Sequence, residues 1–366
     1  MRVRSHLENL PPYQPIEPFE VLAERLGRPV EQIVKLDANE NPYGPPLAVR
    51  QALGNLPFPH IYPDPESRAL RKALERFSGV PSEFLIAGAG ADELIDLLMR
   101  VLLDAGDVIL NCPPTFGMYA FDAGLQGARV VNIPRHPDFS LDLQAILQAA
   151  ELYRPKVLFL ATPNNPDGSL PDRGVLNALL ELPLLIVLDE AYIEFSDDAL
   201  GRTNTRLTEV PSRENLVVLR TFSKWAGLAG LRIGYGAFPR WLLPALWKAK
   251  QPYNVNHAGA IAAQIALEHA EEIRQVVRSL LQERERLFAA LRTFDFLQPY
   301  PSQANFILCR VHRHQAKELQ HRLAYEHGVL VRYFDKPGLQ ECIRISIGRP
   351  EDSDRLLEAL SSFTLE

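Results

Sequence analysis

The chain has 366 residues, of which 46% are hydrophobic and 23% are charged, and its net charge is −6. This length favours two domains, and the composition is ordinary for a globular protein. No basic run is present, which argues against nucleic acid as a partner. The longest apolar stretch contains Pro183 and is far too short to cross a bilayer, so we expect no membrane segment.

Cysteine usage and the N-terminal residues favour a cytoplasmic protein. Cys112, Cys309 and Cys342 form no C-x-x-C pair, and the first eight residues contain no apolar run of the kind found in secretion signals. Free thiols in a reducing compartment are therefore expected. His312 and His314 follow Cys309 at a loose metal-like spacing, but no second ligand pair accompanies them, so no metal site is predicted.

The first 66 residues are rich in proline and polar residues, with one short helix predicted near residues 18–26. A segment that cannot bury itself usually lies on another surface. We therefore expect residues 1–34 to form an arm that packs on the smaller domain or on a partner subunit.

Helical and apolar strand patterns alternate from about residue 67 onwards. Continuous apolar strands between helices predict an α/β fold, with a mostly parallel sheet covered on both faces. This larger domain is assigned to residues 35–262. The predicted helices are 67–77, 91–103 and 141–150, and the predicted strands are 84–87, 107–110, 129–133, 157–160, 184–188, 216–220 and 233–237.

A smaller α+β domain is predicted over residues 263–366. Residues 257–293 have the pattern of one long helical run, with room for a kink. Strands are predicted at 305–308 and 342–347, with a helix at about 315–326 between them.

Lys224 lies in the segment Thr-Phe-Ser-Lys-Trp-Ala-Gly-Leu-Ala-Gly-Leu-Arg, with Ser223 before it and Arg232 eight positions after it. A lysine taken at random is most often an exposed surface residue. Small neighbours and a following arginine instead favour a loop that presents an amine to a carbonyl and holds a phosphate beside it. This combination is typical of a lysine that binds pyridoxal 5′-phosphate (PLP).

Three side chains near strand ends could contact the ring of such a cofactor. Asp189 follows the strand at 184–188, where a charge must be paired, and it could bind a pyridine nitrogen. Tyr192 and Asn165 could reach the ring oxygen. The alternatives are a helix cap or buried ion pair for Asp189, a packing role for Tyr192, and a simple Asn-Pro-Asp-Gly turn around Asn165.

The Gly-Ala-Gly-Ala-Asp-Glu segment at residues 88–93 lies between a strand and a helix. Amides at the start of that helix, at Ala91 and Asp92, could bind a phosphate. The dinucleotide fingerprint G-x-G-x-x-G fails here because its third glycine position is Glu93, which argues against an oxidoreductase. Ser223 and Arg232 could add a hydroxyl and a guanidinium to the phosphate site.

Five sequence motifs, taken in chain order, are shared with a known family. They are Tyr-Pro-Asp, Gly-Ala-Asp-Glu, Pro-Asn-Asn-Pro-x-Gly, Asp-Glu-Ala-Tyr and Ser-Lys-x-x-x-Leu-Ala-Gly-Leu-Arg. The chain resembles the fold type I PLP-dependent aminotransferases of class II. Within them it is most similar to the histidinol-phosphate aminotransferase family. The segments that narrow the resemblance are 9–13, 36–45, 112–119, 301–306 and 343–348.

The resemblance implies a role for each site residue. Phe116 takes the ring-stacking position, where the family usually has tyrosine, so the stacking surface remains but a hydroxyl is lost. The turn at Asn165 has aspartate where the family usually has threonine. The implied cofactor contacts are Lys224 (covalent link), Asp189 (ring nitrogen), Tyr192 and Asn165 (ring oxygen), and Ala91, Asp92, Ser223, Arg232 and Tyr62 of the partner subunit (phosphate); the implied substrate contacts are Tyr13, Asn165, Arg332 and Arg344.

The implied reaction moves an amino group from L-histidinol phosphate to 2-oxoglutarate, giving imidazole acetol phosphate and glutamate, in L-histidine biosynthesis. The resemblance also implies a homodimer with shared active sites. The alternatives are a broader aromatic aminotransferase and a lyase similar to threonine-phosphate decarboxylase. An inactive PLP-binding regulator is disfavoured because the chain retains every catalytic residue type and has no added DNA-binding module.

Overall fold

The structure is a computed structural model that describes residues 3–8, 10, 12, 17–196, 201–312 and 315–363. The helices are α1 Phe19–Leu26, α2 Leu47–Gly54, α3 Arg68–Ser78, α4 Ala91–Leu102, α5 Met118–Leu125, α6 Leu143–Tyr153, α7 Arg173–Leu180, α8 Leu243–Ala249, α9 His257–Glu268, α10 Ala270–Leu291, α11 Ala316–His327 and α12 Pro350–Phe363. The strands are β1 Val34–Leu36, β2 Leu85–Gly88, β3 Val108–Asn111, β4 Arg129–Asn132, β5 Val157–Ala161, β6 Leu185–Asp189, β7 Leu216–Thr221, β8 Gly234–Ala237, β9 Leu297–Pro299, β10 Phe306–Val311, β11 Val329–Tyr333 and β12 Cys342–Ser346.

The larger sheet has, within the described ranges, the strand order β2-β8-β7-β6-β5-β3-β4. All neighbouring strands run parallel except β8, which is antiparallel to both β2 and β7. Every residue of β5, β6 and β7 is buried, as expected for apolar strands covered by helices on both faces. The predicted α/β class with a mostly parallel sheet is confirmed.

The carboxyl ends of the central strands meet at one edge of this sheet. Ala161 at the end of β5 pairs with Asp189 at the end of β6, and Asp189 pairs in turn with Leu219 of β7. Loops that leave this edge are the usual ligand-binding position in an open α/β sheet. The segments that carry Asn165, Asp189 and Lys224 therefore begin side by side.

The smaller sheet has the order β1-β11-β12-β10-β9 among the described residues. Strand β1 comes from the N-terminal part of the chain and pairs in parallel with β11. Its Val34 and Leu36 are buried in the hydrophobic core. The domain boundaries predicted from the sequence, after residues 34 and 262, remain a proposal, although β1 itself belongs to the smaller sheet.

The long helical run predicted at 257–293 is divided into α9 and α10. The break is at His269, whose backbone (φ −100°, ψ 22°) leaves the helical conformation. The sequence patterns give no prediction for α2, α5, α7 and α8, because two turns of helix are too short for a clear period. The helix α12 and the strands β9 and β11 are also not predicted. Within the part of the chain that the structure describes, no helix is both long and apolar enough to span a membrane.

Candidate active site

Lys224 lies in the loop after β7 and is partly buried. Its Nζ donates a hydrogen bond to the main-chain oxygen of Ala38, at 3.2 Å. Burial, with the positive charge of Arg344 nearby, lowers the pKa of Lys224 to about 8. The amine is therefore neutral much more often than that of an exposed lysine, which is the state needed to attack a carbonyl.

This lowered pKa predicts how the covalent attachment of PLP depends on pH. Burial disfavours the charged amine, so the reactive neutral form increases as pH rises and levels off above about pH 8, whereas an ordinary lysine would continue to gain until about pH 10. We expect the attachment rate of cofactor-free protein, followed by stopped-flow absorbance, to reach a plateau above about pH 8. A rate that still rises in proportion to hydroxide well above that pH would contradict the prediction.

Asp189 is the last residue of β6 and is 5% exposed. Its Oδ2 accepts a hydrogen bond of 2.7 Å from the hydroxyl of Tyr119, and its Oδ1 accepts one from the N–H of Ala191. Burial raises the pKa of Asp189 to about 6, and the Tyr119 hydrogen bond opposes this rise. A buried carboxylate held this way can form an ion pair with a pyridinium nitrogen.

Tyr192 and Asn165 both lie near Arg344. The Tyr192 hydroxyl accepts a hydrogen bond of 3.1 Å from Nδ2 of Asn39, and its ring packs edge-on against Phe306. Asn165 Oδ1 accepts a 2.6 Å hydrogen bond from Nη1 of Arg344. The carbonyl end of the Asn165 amide thus faces Arg344, which leaves its NH2 end as a donor for a ring oxygen.

Ala91 and Asp92 form the first turn of α4, and Gly90 precedes them without a side-chain cap. Ser223 and Arg232 lie beside this turn, with 3.4 Å between Ser223 Oγ and Arg232 Nη1. Nη2 of Arg232 contacts Asp92 Oδ2 at 2.7 Å, and both side chains are about half exposed (47% and 48%). Exposed pairs are weak, so a phosphate can compete with Asp92 for this guanidinium. The arrangement suits phosphate binding at a helix N-terminus.

Gly90 allows Arg232 to lie close to the start of α4. Its φ is +84°, and an added Cβ would lie 2.6 Å from Nη2 of Arg232. We expect Gly90→Ala to displace the guanidinium and weaken PLP binding about tenfold, the loss of one charge-assisted contact. The matched control is Gly106→Ala, since Gly106 also has positive φ (+93°) but open space around it. Titration of both apoproteins with PLP is the measurement; equal loss of affinity in the two variants would count against the assignment.

Phe116 lies in the loop between β3 and α5, and its ring packs edge-on against Tyr119 with 5.6 Å between centroids. A neighbouring residue ties this loop to the one that carries Asn165. Thr115 Oγ1 donates to Asn164 Oδ1 at 2.8 Å, and Asn164 Nδ2 donates to the main-chain oxygen of Pro114 at 3.0 Å. The predicted stacking ring and the predicted ring-oxygen donor are therefore held by one hydrogen-bonded connection.

Arg332 in β11 and Arg344 in β12 are directly opposite each other in the smaller sheet. Both guanidinium groups lie over the ring of Phe334, at 5.7 and 5.4 Å from its centroid. Arg344 is 5% exposed and also donates to the main-chain oxygen of Asp37. Arg344 lies near Lys224, and with Arg332 opposite it forms a cationic region that suits an anionic substrate.

One predicted site residue, Tyr62, is not brought to the site within this chain. Tyr62 is 79% exposed and stacks on Tyr253, with 4.6 Å between ring centroids. Tyr13 lies outside the described residues. The structure also brings Asn39 and Tyr119 to the site, and the sequence patterns gave no role to either. Their only signal was that they lie in the segments 36–45 and 112–119, which narrow the family resemblance.

These residues fit PLP as a bound group. A half-buried amine with a lowered pKa suits its aldehyde, and a buried carboxylate suits its ring nitrogen. The guanidinium of Arg232 occupies the space that a Cβ at Gly90 would fill, and it lies beside the first amides of α4, which have no side-chain cap. These groups suit the phosphate of the cofactor. No groups of three or more metal-binding side chains occur among the described residues.

Comparisons with known proteins agree with this chemistry. The family model for "Aminotransferase class I and II", a PLP-dependent family, matches residues 31–360. The chain is 54% identical to the chloroplastic histidinol-phosphate aminotransferase of Nicotiana tabacum over 362 residues, which cover 99% of this chain and 86% of the relative. It is 50% identical to the histidinol-phosphate aminotransferase of Roseiflexus castenholzii, over 98% of this chain and 97% of the relative.

Among solved structures, the fold is similar to that of histidinol-phosphate aminotransferase from Sinorhizobium meliloti in complex with pyridoxal-5′-phosphate. The TM-score is 0.88 and the sequence identity 29%, over 100% of this chain and 98% of that one. The resemblance read from the sequence and the PLP-dependent fold are confirmed. The chain belongs to the PLP-dependent class I and II aminotransferase family.

Proposed function

We propose that this protein is an aminotransferase that moves the amino group of L-histidinol phosphate to 2-oxoglutarate, giving imidazole acetol phosphate and glutamate in L-histidine biosynthesis. The observation that carries the proposal is the position of Arg344. It contacts Asn165 directly and lies near enough to Lys224 for its charge to lower the pKa of that amine. Relatives with this activity in their names match nearly the whole chain.

When bound, PLP supplies an electron sink for the bond that breaks at the substrate α-carbon. The residues of this chain would hold it and move the proton. Asp189, held by Tyr119 and Ala191, would provide a negative charge at the ring nitrogen. Lys224, with its lowered pKa, is suited to take the proton from the α-carbon as a general base and to return it.

The substrate region must accept a phosphate monoester in one half of the reaction and a dicarboxylate in the other. Arginine suits both because its planar guanidinium forms paired hydrogen bonds with either oxyanion. Arg344 has its orientation fixed by Asn165 and by the main-chain oxygen of Asp37, and Arg332 lies opposite it. We assign the main anion contact to Arg344 and a supporting contact to Arg332 and Tyr13.

A half-reaction measurement tests the substrate assignment against the two alternatives within PLP chemistry. The PLP-loaded protein is mixed with histidinol phosphate, phenylalanine or threonine phosphate, and conversion of the cofactor to its amine form is followed by absorbance. We expect histidinol phosphate to react with the highest rate at subsaturating concentration. Rapid conversion by phenylalanine alone would indicate an aromatic aminotransferase, and release of carbon dioxide from threonine phosphate would indicate a lyase.

We further propose that the protein is a homodimer in which Tyr62 of the partner subunit contacts the cofactor phosphate. Support comes from the exposed aromatic and apolar side chains of Phe58, Ile61, Tyr62 and Tyr253, which are 66%, 55%, 79% and 44% exposed. Apolar side chains grouped in this way are typical of a surface covered by another chain. A cytoplasmic location is likewise proposed, supported by the three free and buried cysteines.

Mixing two defective variants tests this sharing of sites. Subunits with Lys224→Ala retain Tyr62, and subunits with Tyr62→Ala retain Lys224. If Tyr62 acts across the dimer, each mixed dimer contains one site with both residues, so activity at low PLP should recover to about half of that of the native dimer for the mixed species. Activity that stays at the average of the two parent variants after subunit exchange would show that Tyr62 does not act across the interface.

A further inference from the structure

The segment Asp37-Ala38-Asn39, which follows β1, contacts three of the proposed functional side chains in succession. The main-chain oxygen of Asp37 accepts from Nη2 of Arg344 at 2.8 Å, and that of Ala38 accepts from Nζ of Lys224 at 3.2 Å. The third contact is made by a side chain, since Nδ2 of Asn39 donates to the hydroxyl oxygen of Tyr192 at 3.1 Å. The proposed function gives no role to this third contact.

The orientation of the Asn39 amide follows from its neighbours. Asn39 is 1% exposed, and its own N–H donates to Ser346 Oγ at 2.8 Å. The single proton of that hydroxyl then goes to Asn39 Oδ1, at 2.9 Å. In this arrangement Ser346 Oγ accepts from the Asn39 N–H and donates to Oδ1, so the oxygen of the amide faces Ser346 and the NH2 faces Tyr192.

The backbone of Asn39 is fixed as firmly as its side chain. Its φ is +56°, a left-handed conformation that asparagine tolerates better than most residues. Its main-chain oxygen accepts a 3.0 Å hydrogen bond from Nδ2 of Asn305, just before β10. Asn305 and Ser346 both belong to the part of the chain that forms the smaller sheet, so this sheet holds Asn39 in place.

This orientation determines the direction of the Tyr192 hydroxyl proton. A phenol oxygen that accepts a hydrogen bond from Asn39 cannot donate to the same group, so its own proton must point elsewhere. The edge of Phe306, which packs against the Tyr192 ring, offers no acceptor. Burial also raises the pKa of Tyr192, so the phenol keeps its proton at neutral pH. The Tyr192 proton can therefore be donated to an acceptor other than Asn39 and Phe306.

We propose that Asn39 is a positioning residue that makes Tyr192 a donor to the ring oxygen of PLP, and that Ser346 holds Asn39 in the orientation this requires. The inference rests on the proposed function, since it assumes that Tyr192 contacts the ring oxygen. A donor at that oxygen draws electron density from it and weakens its attraction for the proton on the lysine–cofactor nitrogen. Loss of the donor should therefore raise the pKa of this linkage.

The test is a pH titration of the visible absorbance of the PLP-loaded protein without substrate. Asn39→Asp keeps the size of the side chain and its bond with Ser346, but a carboxylate can only accept, so the Tyr192 proton turns towards it. We expect the linkage pKa to rise by about one unit in Asn39→Asp and Tyr192→Phe, and by less in Ser346→Ala. Thermal unfolding checks that each variant is folded. If Asn39→Asp does not fold, the absorbance titration of Ser346→Ala tests the inference instead.

The double variant separates positioning from a simple charge effect. If Asn39 acts through Tyr192, adding Asn39→Asp to Tyr192→Phe should leave the titration close to that of Tyr192→Phe alone. Fully additive shifts, or no shift in either Asn39→Asp or Ser346→Ala, would overturn the inference while leaving the proposed function intact. An unshifted titration in Tyr192→Phe would overturn both this inference and the assignment of Tyr192 to the ring oxygen.

Discussion

Replacement of Lys224 by alanine is expected to lower kcat by about ten-thousandfold or more, because the variant loses both the covalent cofactor link and the general base. The structure gives Lys224 a hydrogen bond to Ala38 and a pKa of about 8, both suited to these two tasks. Steady-state turnover with histidinol phosphate and 2-oxoglutarate is the measurement, together with the absorbance of bound PLP.

Lys72→Ala is the matched control for this substitution. Lys72 is an exposed helix lysine whose only described ion pair is with Glu75, so its loss should leave turnover and absorbance unchanged. Multiple turnovers in Lys224→Ala at a rate near that of the native protein would exclude Lys224 as the catalytic residue. Thermal unfolding of both variants checks that each is folded, so that a difference in turnover reflects the loss of Lys224 and not a loss of structure.

The second large effect is expected at Arg344. Arg344→Ala removes a buried guanidinium that contacts Asn165 and the Asp37 main chain, and it should lower kcat/KM about a hundredfold to a thousandfold, the usual consequence of deleting one partner of a buried charged contact. Arg332→Ala should have a smaller effect because Arg332 is only partly buried. Both half-reactions should suffer, since one site must bind both oxyanions.

Arg310→Ala is the control, because Arg310 lies in the neighbouring strand β10 and pairs with Glu341 near the surface. It should leave kcat/KM within about twofold of the native value. If Arg344→Ala affects histidinol phosphate and leaves 2-oxoglutarate unchanged, the two substrates use different anion contacts, and the single-site assignment is wrong.

The fold could be predicted well where local patterns are strong. The strands β5, β6 and β7 are continuous apolar runs, and their predicted spans agree with the structure to within one or two residues. Strand β1 was not predicted because three residues carry no usable period, and its pairing with β11 joins distant parts of the chain. Its place in the smaller sheet depends on tertiary packing that a single sequence does not encode locally.

The residues of the candidate site likewise fall into those that local sequence patterns predict and those that only the folded structure reveals. Lys224, Asp189 and the start of α4 can be predicted as site candidates because glycine-rich or strand-end context marks each of them. Asn39 and Tyr119 could not, because each acts through a hydrogen bond to a residue far away in the sequence. Apart from their place in segments that narrow the family resemblance, no local pattern marks them, and only the folded chain brings them to Tyr192 and Asp189.

Chemical trapping of the cofactor in the purified PLP-loaded protein shows which lysine carries it. Borohydride reduction makes the lysine–PLP bond permanent, and peptide mass spectrometry then identifies the modified residue. The expected result is one phosphopyridoxyl group per chain, on Lys224, with loss of the visible absorbance band. Stoichiometric modification of any other lysine, or none at Lys224, would contradict the organisation of the site around this residue.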